Sequence, residues 1–159
     1  MLGIDPGLVA TGYGFIGPGP QGVAVLSTGV IATDSDLPLE ARLEYVYAGI
    51  DKVLDTLMPQ LVVLEDLYAE YKFPRTALLM AHARGVICLA ARQRAMALLA
   101  LAPSEVKRAV AGHGSASKEQ VQHGVQRILK LREVPRPSHV ADALALAFTG
   151  YSRAGGRLP

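Results

Sequence analysis

The chain has 159 residues, 50% hydrophobic and 19% charged, a composition that favours one globular domain and excludes a wholly disordered or collagen-like chain. Its longest apolar run, residues 95–102, is far shorter than the roughly 20 residues of a membrane-spanning helix, so we expect no membrane span. The net charge of +2 excludes a strongly basic or acidic chain.

The first third of the chain has the pattern of three strands. Residues 1–4 are apolar, residues 10–16 are rich in small and aromatic residues, and residues 23–33 contain several β-branched residues. The stretch GPGPQG at residues 17–22 predicts a turn between the last two segments. We therefore expect the second and third strands to form a hairpin.

Two helices and a buried strand are predicted next. Apolar residues recur at intervals of three and four over residues 39–57, between Pro38 and Pro59, which predicts an amphipathic helix. The continuous run at residues 61–64 is typical of a strand buried on both faces. After a polar and aromatic loop, a long helix is expected over about residues 74–94.

The rest of the chain predicts one more strand and three more helices. The strand covers residues 97–102, a short helix starts near Ser104, and a longer helix covers residues 118–131. Ser138 is predicted to be the N-cap of a last helix that extends to about Arg153. Strands followed by alternating helices and strands indicate an α/β domain with a five-stranded mixed sheet flanked by helices.

The predicted elements indicate one domain, along which charge is unevenly distributed. We expect a single domain over residues 1–152 and a flexible basic tail over residues 153–159. Residues 1–66 hold nine acidic and two basic residues, a net charge of −7, whereas the remaining 93 residues carry +9. An acidic pocket beside a basic surface for a polyanion has this pattern, and so do ordinary solvated faces.

Acidic residues follow two of the predicted strands. Asp5 precedes a Pro-Gly turn, where Asp is usually a local hydrogen-bond acceptor but also reaches solvent or a metal. Glu65 ends an apolar strand, where a charge is costly unless a partner or a cation offsets the cost. Because neighbouring strand residues point to opposite faces, we assign Glu65 to the site and Asp66 to solvent or a structural contact.

His139 and Asp142 are three residues apart in the first turn of the last predicted helix, so their side chains share one face. An acid near a helix N-terminus also has a simple electrostatic explanation through the helix dipole. Together with Asp5 and Glu65, they form a donor set that suits Mg²⁺ or Mn²⁺. Two such ions about 3.5–4 Å apart support phosphodiester hydrolysis, which we take as the expected chemistry.

Five segments spread over nearly the whole chain resemble the RuvC Holliday-junction resolvases, whose fold is ribonuclease H-like. They are LGIDPGLVATGYG at residues 2–14, LEDLY at 64–68, HARGV at 82–86, PSEVKRAVAGHGSASKEQV at 103–121 and HVADALALA at 139–147. The resemblance implies a metal-dependent endonuclease that resolves four-way DNA junctions in homologous recombination and DNA repair. It also implies products with 5′-phosphate and 3′-hydroxyl ends.

By this resemblance, the catalytic and metal-binding carboxylates are Asp5, Glu65 and Asp142. The fourth position of the motif falls on His139, where many relatives have Asp, so that the pocket has a formal charge of −3 instead of −4. We expect the imidazole to favour Mn²⁺ and to make activity fall as it becomes protonated near pH 6.

The resemblance also implies a homodimer, whose two active sites suit the symmetry of a junction, and branch-migration motor proteins as partners. One helix builds the dimer contact in this family. A stripe of small and apolar residues on the helix at residues 74–94 is core by default and an interface candidate by resemblance; it consists of Ala77, Leu78, Met80, Ala81, Gly85 and Leu89.

Lys107 and Lys118 lie in family-like segments and are the first candidates for contacts with DNA phosphates. Four weaker candidates are Arg75, Arg108, Lys72 and Arg84. Tyr68 occupies a position where the family has an aromatic residue that stacks on a base, although packing against its own loop is an alternative. Tyr71 and Phe73 in the same loop are weaker candidates for this role, because the loop is one residue longer than in some relatives.

The remaining polar residues keep their ordinary interpretation. Cys88 lies in an apolar stretch and is expected to be a buried structural thiol, and with no secretory pattern at the start we expect a cytoplasmic protein. The loop at residues 112–115 is interpreted as flexible, with phosphate binding as the alternative. Three histidines without paired metal-ligand spacing are expected to be structural or on the surface: His82, His113 and His123.

Three other functions stay open at this point. An actin-like nucleotide phosphohydrolase shares the glycine-containing turn after Asp5, but its second phosphate loop is missing and the chain is too short for its two lobes. A ribonuclease H shares the carboxylates but not the other motifs. A module that binds junctions without cutting them is disfavoured because all four candidate ligands are retained.

Overall fold

The structure, a computed structural model, describes residues 1–20, 22–67 and 74–156. The strands in these residues are β1 (Leu2–Asp5), β2 (Ala10–Gly19), β3 (Gly22–Ala32), β4 (Leu61–Glu65) and β5 (Ala97–Leu101). The helices are α1 (Leu39–Leu57), α2 (Pro74–Gln93), α3 (Pro103–Ala111), α4 (Lys118–Ile128) and α5 (Ser138–Arg153). None of these helices is long and apolar enough to span a membrane.

The strands form one mixed sheet in the order β3-β2-β1-β4-β5. The first three strands are antiparallel, and β1, β4 and β5 are parallel to one another. The predicted five-stranded mixed sheet is therefore confirmed, as is the hairpin of β2 and β3. Because Ile4 is paired with Leu64, the carboxyl ends of β1 and β4 lie side by side.

Helices cover both faces of the sheet. Helices α1 and α2 pack on one face, where Ile4 and Leu64 contribute to their core. Helices α3, α4 and α5 share a second core with Val63 on the opposite face. α5 lies against β1 and β2, and most of its residues from Val140 to Gly150 are buried.

The hairpin is longer than the Gly- and Pro-rich sequence predicted. β2 continues through Pro18 to Gly19, so the connection is tighter than the expected turn over residues 17–22. The outer part of β2 has only β3 as a neighbour, because β1 begins at Leu2 opposite Phe15. A proline without an N–H donor is tolerated in such an edge segment.

Two predicted helix ends differ from the structure. Ser138 is the first residue of α5 and not its N-cap; Pro137 holds the cap position, and no side chain caps the helix. α4 ends at Ile128 instead of Leu131, because Lys130 adopts a positive φ of 52° and ends the helical path.

The stripe of small and apolar residues on α2 was expected by default to be core, and this expectation is wrong. Leu78 and Leu89 are 64% and 52% exposed, and Ala81 and Gly85 are exposed as well. Ala77 and Met80 are only partly buried, and the residues of α2 that enter the core are Ala83, Ile87, Ala90 and Ala91. Cys88 is partly buried and packs against this core.

Candidate active site

The alternation of side chains along the strands brings Asp5 and Glu65 to the same face of the sheet. Ile4 and Leu64 belong to the core under α1 and α2, so the residues that follow them point toward α5. Asp66 then points away, and its Oδ1 lies 3.6 Å from a terminal nitrogen of Arg84. The expected separation of Glu65 from Asp66 is confirmed.

Glycines in the first two strands allow α5 to approach this edge closely. A Cβ at Gly3 would lie 2.0 Å from the carbonyl oxygen of Ala143, and a Cβ at Gly12 would lie 2.3 Å from that of His139. Any side chain at either position would displace the helix. The approach places His139 Nδ1 2.8 Å from Asp5 Oδ2.

The four predicted ligands line one pocket of about 560 Å³. The set comprises Asp5 at the end of β1, Glu65 at the end of β4, and His139 and Asp142 in the first turn of α5. Two cationic side chains, Lys107 from α3 and Lys118 from α4, line the same pocket. Its apolar wall includes Leu8, Val9, Leu79, Met80, Val106 and Val121.

Two carboxyl groups in this pocket, those of Glu65 and Asp142, have a raised pKa. Burial raises the pKa of Glu65 to about 7, with added contributions from the charges of Asp5 and Asp142 that outweigh the opposing effect of Lys107. Burial and the charge of Asp5 also raise the pKa of Asp142. The pKa of His139 is raised chiefly by its hydrogen bond to Asp5.

A divalent cation fits the chemistry of this donor set. Three carboxylates and an imidazole are the ligands that Mg²⁺ and Mn²⁺ accept, and such a cation would offset both the burial and the repulsion that raise the pKa of Glu65. In the described parts of the chain, however, no three His, Cys, Asp or Glu side chains form a ready cage. Lys118 Nζ lies 3.1 Å from Asp142 Oδ2, so a cation that binds Asp142 competes with this amine.

The structure separates the candidate DNA contacts into groups. Lys107 and Lys118 face the pocket, whereas Arg75 and Arg108 are exposed on α2 and α3 outside its lining. Arg84 is engaged with the end of β4 and is therefore a poor candidate for a phosphate contact. Four candidates lie outside the described residues: Tyr68, Tyr71, Lys72 and Phe73.

The other polar candidates lie at the surface. His82, His113 and His123 are exposed, and His113 Nδ1 is 3.3 Å from Ser115 Oγ. Arg153 is the last residue of α5 and its Nη1 lies 3.4 Å from Glu105 Oε1. It thus belongs to the folded part of the chain.

Sequence reasoning missed the apolar wall of the pocket and the contact of Arg84. Leu79 and Met80 follow the helical pattern of an ordinary core, so nothing in the sequence distinguishes a pocket wall from a buried face. The HARGV segment was the one available signal for Arg84, but it did not indicate which group the guanidinium meets.

Comparisons with known proteins agree along the whole chain. The family model described as crossover junction endodeoxyribonuclease RuvC matches residues 1–150. A crossover junction endodeoxyribonuclease RuvC from Fusobacterium nucleatum is 40% identical over 158 residues, which are 99% of this chain and 83% of that protein.

Solved structures agree as well. The Thermus thermophilus RuvC structure is 37% identical with a TM-score of 0.84 and covers 100% of this chain and 99% of its own. The same protein in complex with a Holliday junction substrate has 37% identity and a TM-score of 0.86, with coverage of 99% and 97%. The expected ribonuclease H-like fold is thereby confirmed.

Proposed function

The chain belongs to the RuvC family of crossover junction endodeoxyribonucleases, and we propose that it resolves four-way DNA junctions by metal-dependent phosphodiester hydrolysis. The observation that carries this proposal is the near-complete match to the family, in a fold whose four candidate ligands line one pocket. The products expected from the family are 5′-phosphate and 3′-hydroxyl ends.

We assign the binding of Mg²⁺ or Mn²⁺, two ions in each site, to Asp5, Glu65, His139 and Asp142. Their common pocket and the raised pKa of Glu65 support this assignment. Ions held by these four residues would supply activation of a water molecule for in-line attack and stabilisation of the departing oxygen. Asp5 also accepts the hydrogen bond that orients His139, whose neutral imidazole is the form that coordinates a metal.

The two pocket lysines are proposed to receive the DNA. The charge of Lys107 opposes the burial that raises the pKa of Glu65, and the charge of Lys118 opposes the same effect at Asp142, so both amines lie within electrostatic reach of the pocket carboxylates. In the absence of DNA, Lys118 neutralises Asp142. We propose that the amine leaves Asp142 when the cation binds and then contacts the phosphate being cut.

The homodimer remains a proposal that the exposed stripe of α2 supports. Leu78, Ala81, Gly85 and Leu89 are exposed on one helix, and a partner's copy of that helix would cover them. A cytoplasmic location and action beside branch-migration motor proteins rest on the family resemblance. Stacking of Tyr68 on a base rests on it as well.

Nicking of a synthetic four-way junction tests the proposed function. We expect symmetric cleavage of the junction with Mg²⁺ or Mn²⁺ and none in EDTA, with linear duplex DNA, an RNA–DNA hybrid and ATP left intact. Preferred cutting of the hybrid would indicate a ribonuclease H, and hydrolysis of ATP would indicate a nucleotide phosphohydrolase. Tight junction binding without any cleavage would indicate a binding module.

Replacing His139 by aspartate should shift the metal preference. The imidazole is a better ligand for Mn²⁺ than for Mg²⁺, so we expect the ratio of the cleavage rates in Mn²⁺ and Mg²⁺ to fall by roughly 3-fold or more in His139→Asp. The natural protein should also lose more activity than the variant between pH 8 and pH 6, since protonation removes the imidazole as a ligand. Equal metal ratios for the two proteins would contradict the role of His139.

Lys118→Gln should affect metal and DNA binding in opposite directions. Lys118 Nζ is paired with Asp142 Oδ2. Because the substitution removes this amine, it should strengthen Mn²⁺ binding without DNA by roughly 3-fold. It should also weaken junction binding. The slope of the logarithm of the junction-binding constant against the logarithm of salt concentration should fall by about one, the contribution of one phosphate contact. Calorimetry and binding curves at several salt concentrations measure both effects.

Lys52→Gln is the matched control, since Lys52 is exposed on α1 away from the pocket. It should change neither quantity. Unchanged Mn²⁺ affinity in Lys118→Gln would contradict the competition between this amine and the cation.

A further inference from the structure

Arg84, in the middle of α2, contacts the chain where the proposed ligand Glu65 leaves the sheet. Its Nε donates a hydrogen bond of 3.1 Å to the backbone carbonyl oxygen of Glu65. A terminal nitrogen of the same guanidinium lies 3.6 Å from Asp66 Oδ1. One side chain thus spans both sides of the peptide bond that joins Glu65 to Asp66.

The same peptide unit and the side chain of Asp66 each make one further contact. The Asp66 amide donates to the carbonyl oxygen of Leu101 at 2.8 Å, which extends the pairing of β4 with β5 by one residue. Asp66 Oδ1 accepts a hydrogen bond of 3.0 Å from the amide of Leu67. Leu101 belongs to the sheet and Leu67 to the segment that follows β4, whereas Arg84 reaches this peptide from a helix.

A purely stabilising ion pair accounts poorly for this arrangement. The side chain of Asp66 is 50% exposed, and ion pairs with an exposed partner contribute little net stability. Arg84 is 25% exposed, and its Nε donates its hydrogen bond to a main-chain carbonyl instead of a carboxylate. The contact therefore controls the direction of the chain more than it contributes charge pairing.

α2 also contributes to the pocket itself. Thr76, Leu79 and Met80, which precede Arg84 on the helix, line the pocket that contains the Glu65 carboxylate. Arg84 thereby joins the helix that lines part of the pocket to the strand end that supplies a carboxylate to the same pocket. We expect loss of this connection to let the helix and the strand end move relative to each other.

We propose that Arg84 is a positioning residue for metal binding. By holding the Glu65–Asp66 peptide against α2, it fixes the direction in which the Glu65 carboxylate enters the pocket, and with it the affinity for the divalent cation. This inference rests on the proposed role of Glu65 and adds a residue that touches neither the metal nor the DNA.

Arg94, just beyond the end of α2, provides a matched control. Its Nε lies 2.6 Å from Asp51 Oδ1 and its Nη1 lies 3.1 Å from Asp55 Oδ1, so it ties α2 to α1. It is not part of the pocket lining. Arg94→Gln therefore removes a guanidinium tie of the same helix without touching β4.

The experiment compares the natural protein with Arg84→Gln, Arg84→Lys and Arg94→Gln. Titration calorimetry with Mn²⁺ alone measures metal affinity without DNA, and amide hydrogen exchange of Asp66 reports the order of the peptide. We expect Arg84→Gln to weaken Mn²⁺ binding about 10-fold, as loss of a supporting contact around a metal ligand does. Exchange at Asp66 should become faster, and the metal concentration for half-maximal cleavage should rise by the same factor.

The other variants separate positioning from stability. Arg84→Lys keeps the positive charge and one donor nitrogen, so it should recover part of the Mn²⁺ affinity. It also serves as the variant to measure if Arg84→Gln does not fold. Arg94→Gln should lower the melting temperature but leave Mn²⁺ affinity and Asp66 exchange unchanged. Junction affinity in EDTA should stay within about 2-fold of the natural value in all variants, because Arg84 is engaged at the end of β4 and Arg94 is engaged with α1.

Two results would overturn the positioning role. One is natural Mn²⁺ affinity and Asp66 exchange in folded Arg84 variants; the other is an equal loss of Mn²⁺ affinity in Arg94→Gln. Failure of the proposed function has a different signature, since the natural protein itself would then leave four-way junctions uncut whatever the Arg84 variants do to Mn²⁺ binding.

Discussion

Replacing Asp5 by asparagine should slow junction cleavage about 10³-fold or more, since a lost metal ligand removes several kcal/mol of transition-state stabilisation. Asp5 is hydrogen-bonded to His139, and its charge adds to the burial that raises the pKa of both Glu65 and Asp142. The amide keeps the size of the side chain but loses the charge. Single-turnover cleavage rates at saturating Mg²⁺ measure the effect.

Binding of the junction separates this loss from misfolding. In EDTA, Asp5→Asn should bind the junction at least as tightly as the natural protein, because one negative charge near the phosphates is removed. Asp36→Asn, at an exposed position before α1, is the control and should cleave at the natural rate. A cleavage rate of Asp5→Asn within about 10-fold of the natural one would remove Asp5 from the catalytic site.

Glu65→Gln should make the metal-free protein more stable at pH 8, by up to about 3 kcal/mol. In the unfolded chain the pKa of Glu65 is about 4.5, and in the folded protein burial and the neighbouring acids raise the pKa to about 7. Between these values the folded state binds more protons than the unfolded state. The free energy of unfolding of the natural protein therefore falls as pH rises through this window, and the full penalty is present above pH 7.

Urea denaturation in EDTA at pH 4.5 and pH 8 tests this expectation. The variant and the natural protein should differ little at pH 4.5 and most at pH 8, and Mn²⁺ at pH 8 should stabilise the natural protein more than the variant. Glu44→Gln, exposed on α1, is the control at both pH values. If the free energies of unfolding of Glu65→Gln and the natural protein differed by the same amount at both pH values, the raised pKa of Glu65 would not be the cause of the difference.

The sequence predicted the architecture well where periodicity was strong. The three- and four-residue spacing between Pro38 and Pro59 matched α1, and the β-branched run at residues 61–64 matched a strand buried on both faces. The alternation rule was sufficient to separate Glu65 from Asp66. These patterns lie within a single segment, so they can be recognised without knowing which elements pack against it.

Predictions failed where tertiary contacts decide the outcome. The small and apolar stripe of α2 has the composition of a core, yet α1 and the sheet bury the neighbouring face of the helix and leave Leu78 and Leu89 exposed. Ser138 has the chemistry of an N-cap, but Pro137 already holds an extended conformation one residue earlier. Neither outcome is encoded in the composition of the segment itself.

For the site, residue chemistry indicated an acidic metal pocket, while family motifs were needed to select the lysines. In the sequence, Lys107 and Lys118 resemble any solvated lysine on a helix. The fold brings both to the pocket that the carboxylates line. The pairing of Lys118 with Asp142 and the contact of Arg84 with Glu65 join residues far apart in the chain. Such pairs depend on the packing of α4 and α2 and have no local signature.

The most direct measurement of the central claim is anomalous diffraction from crystals soaked in Mn²⁺. We expect Mn²⁺ between Asp5, Glu65, His139 and Asp142, with the Lys118 amine displaced from Asp142. Mn²⁺ bound only outside this pocket, in a protein that still cuts four-way junctions, would contradict it.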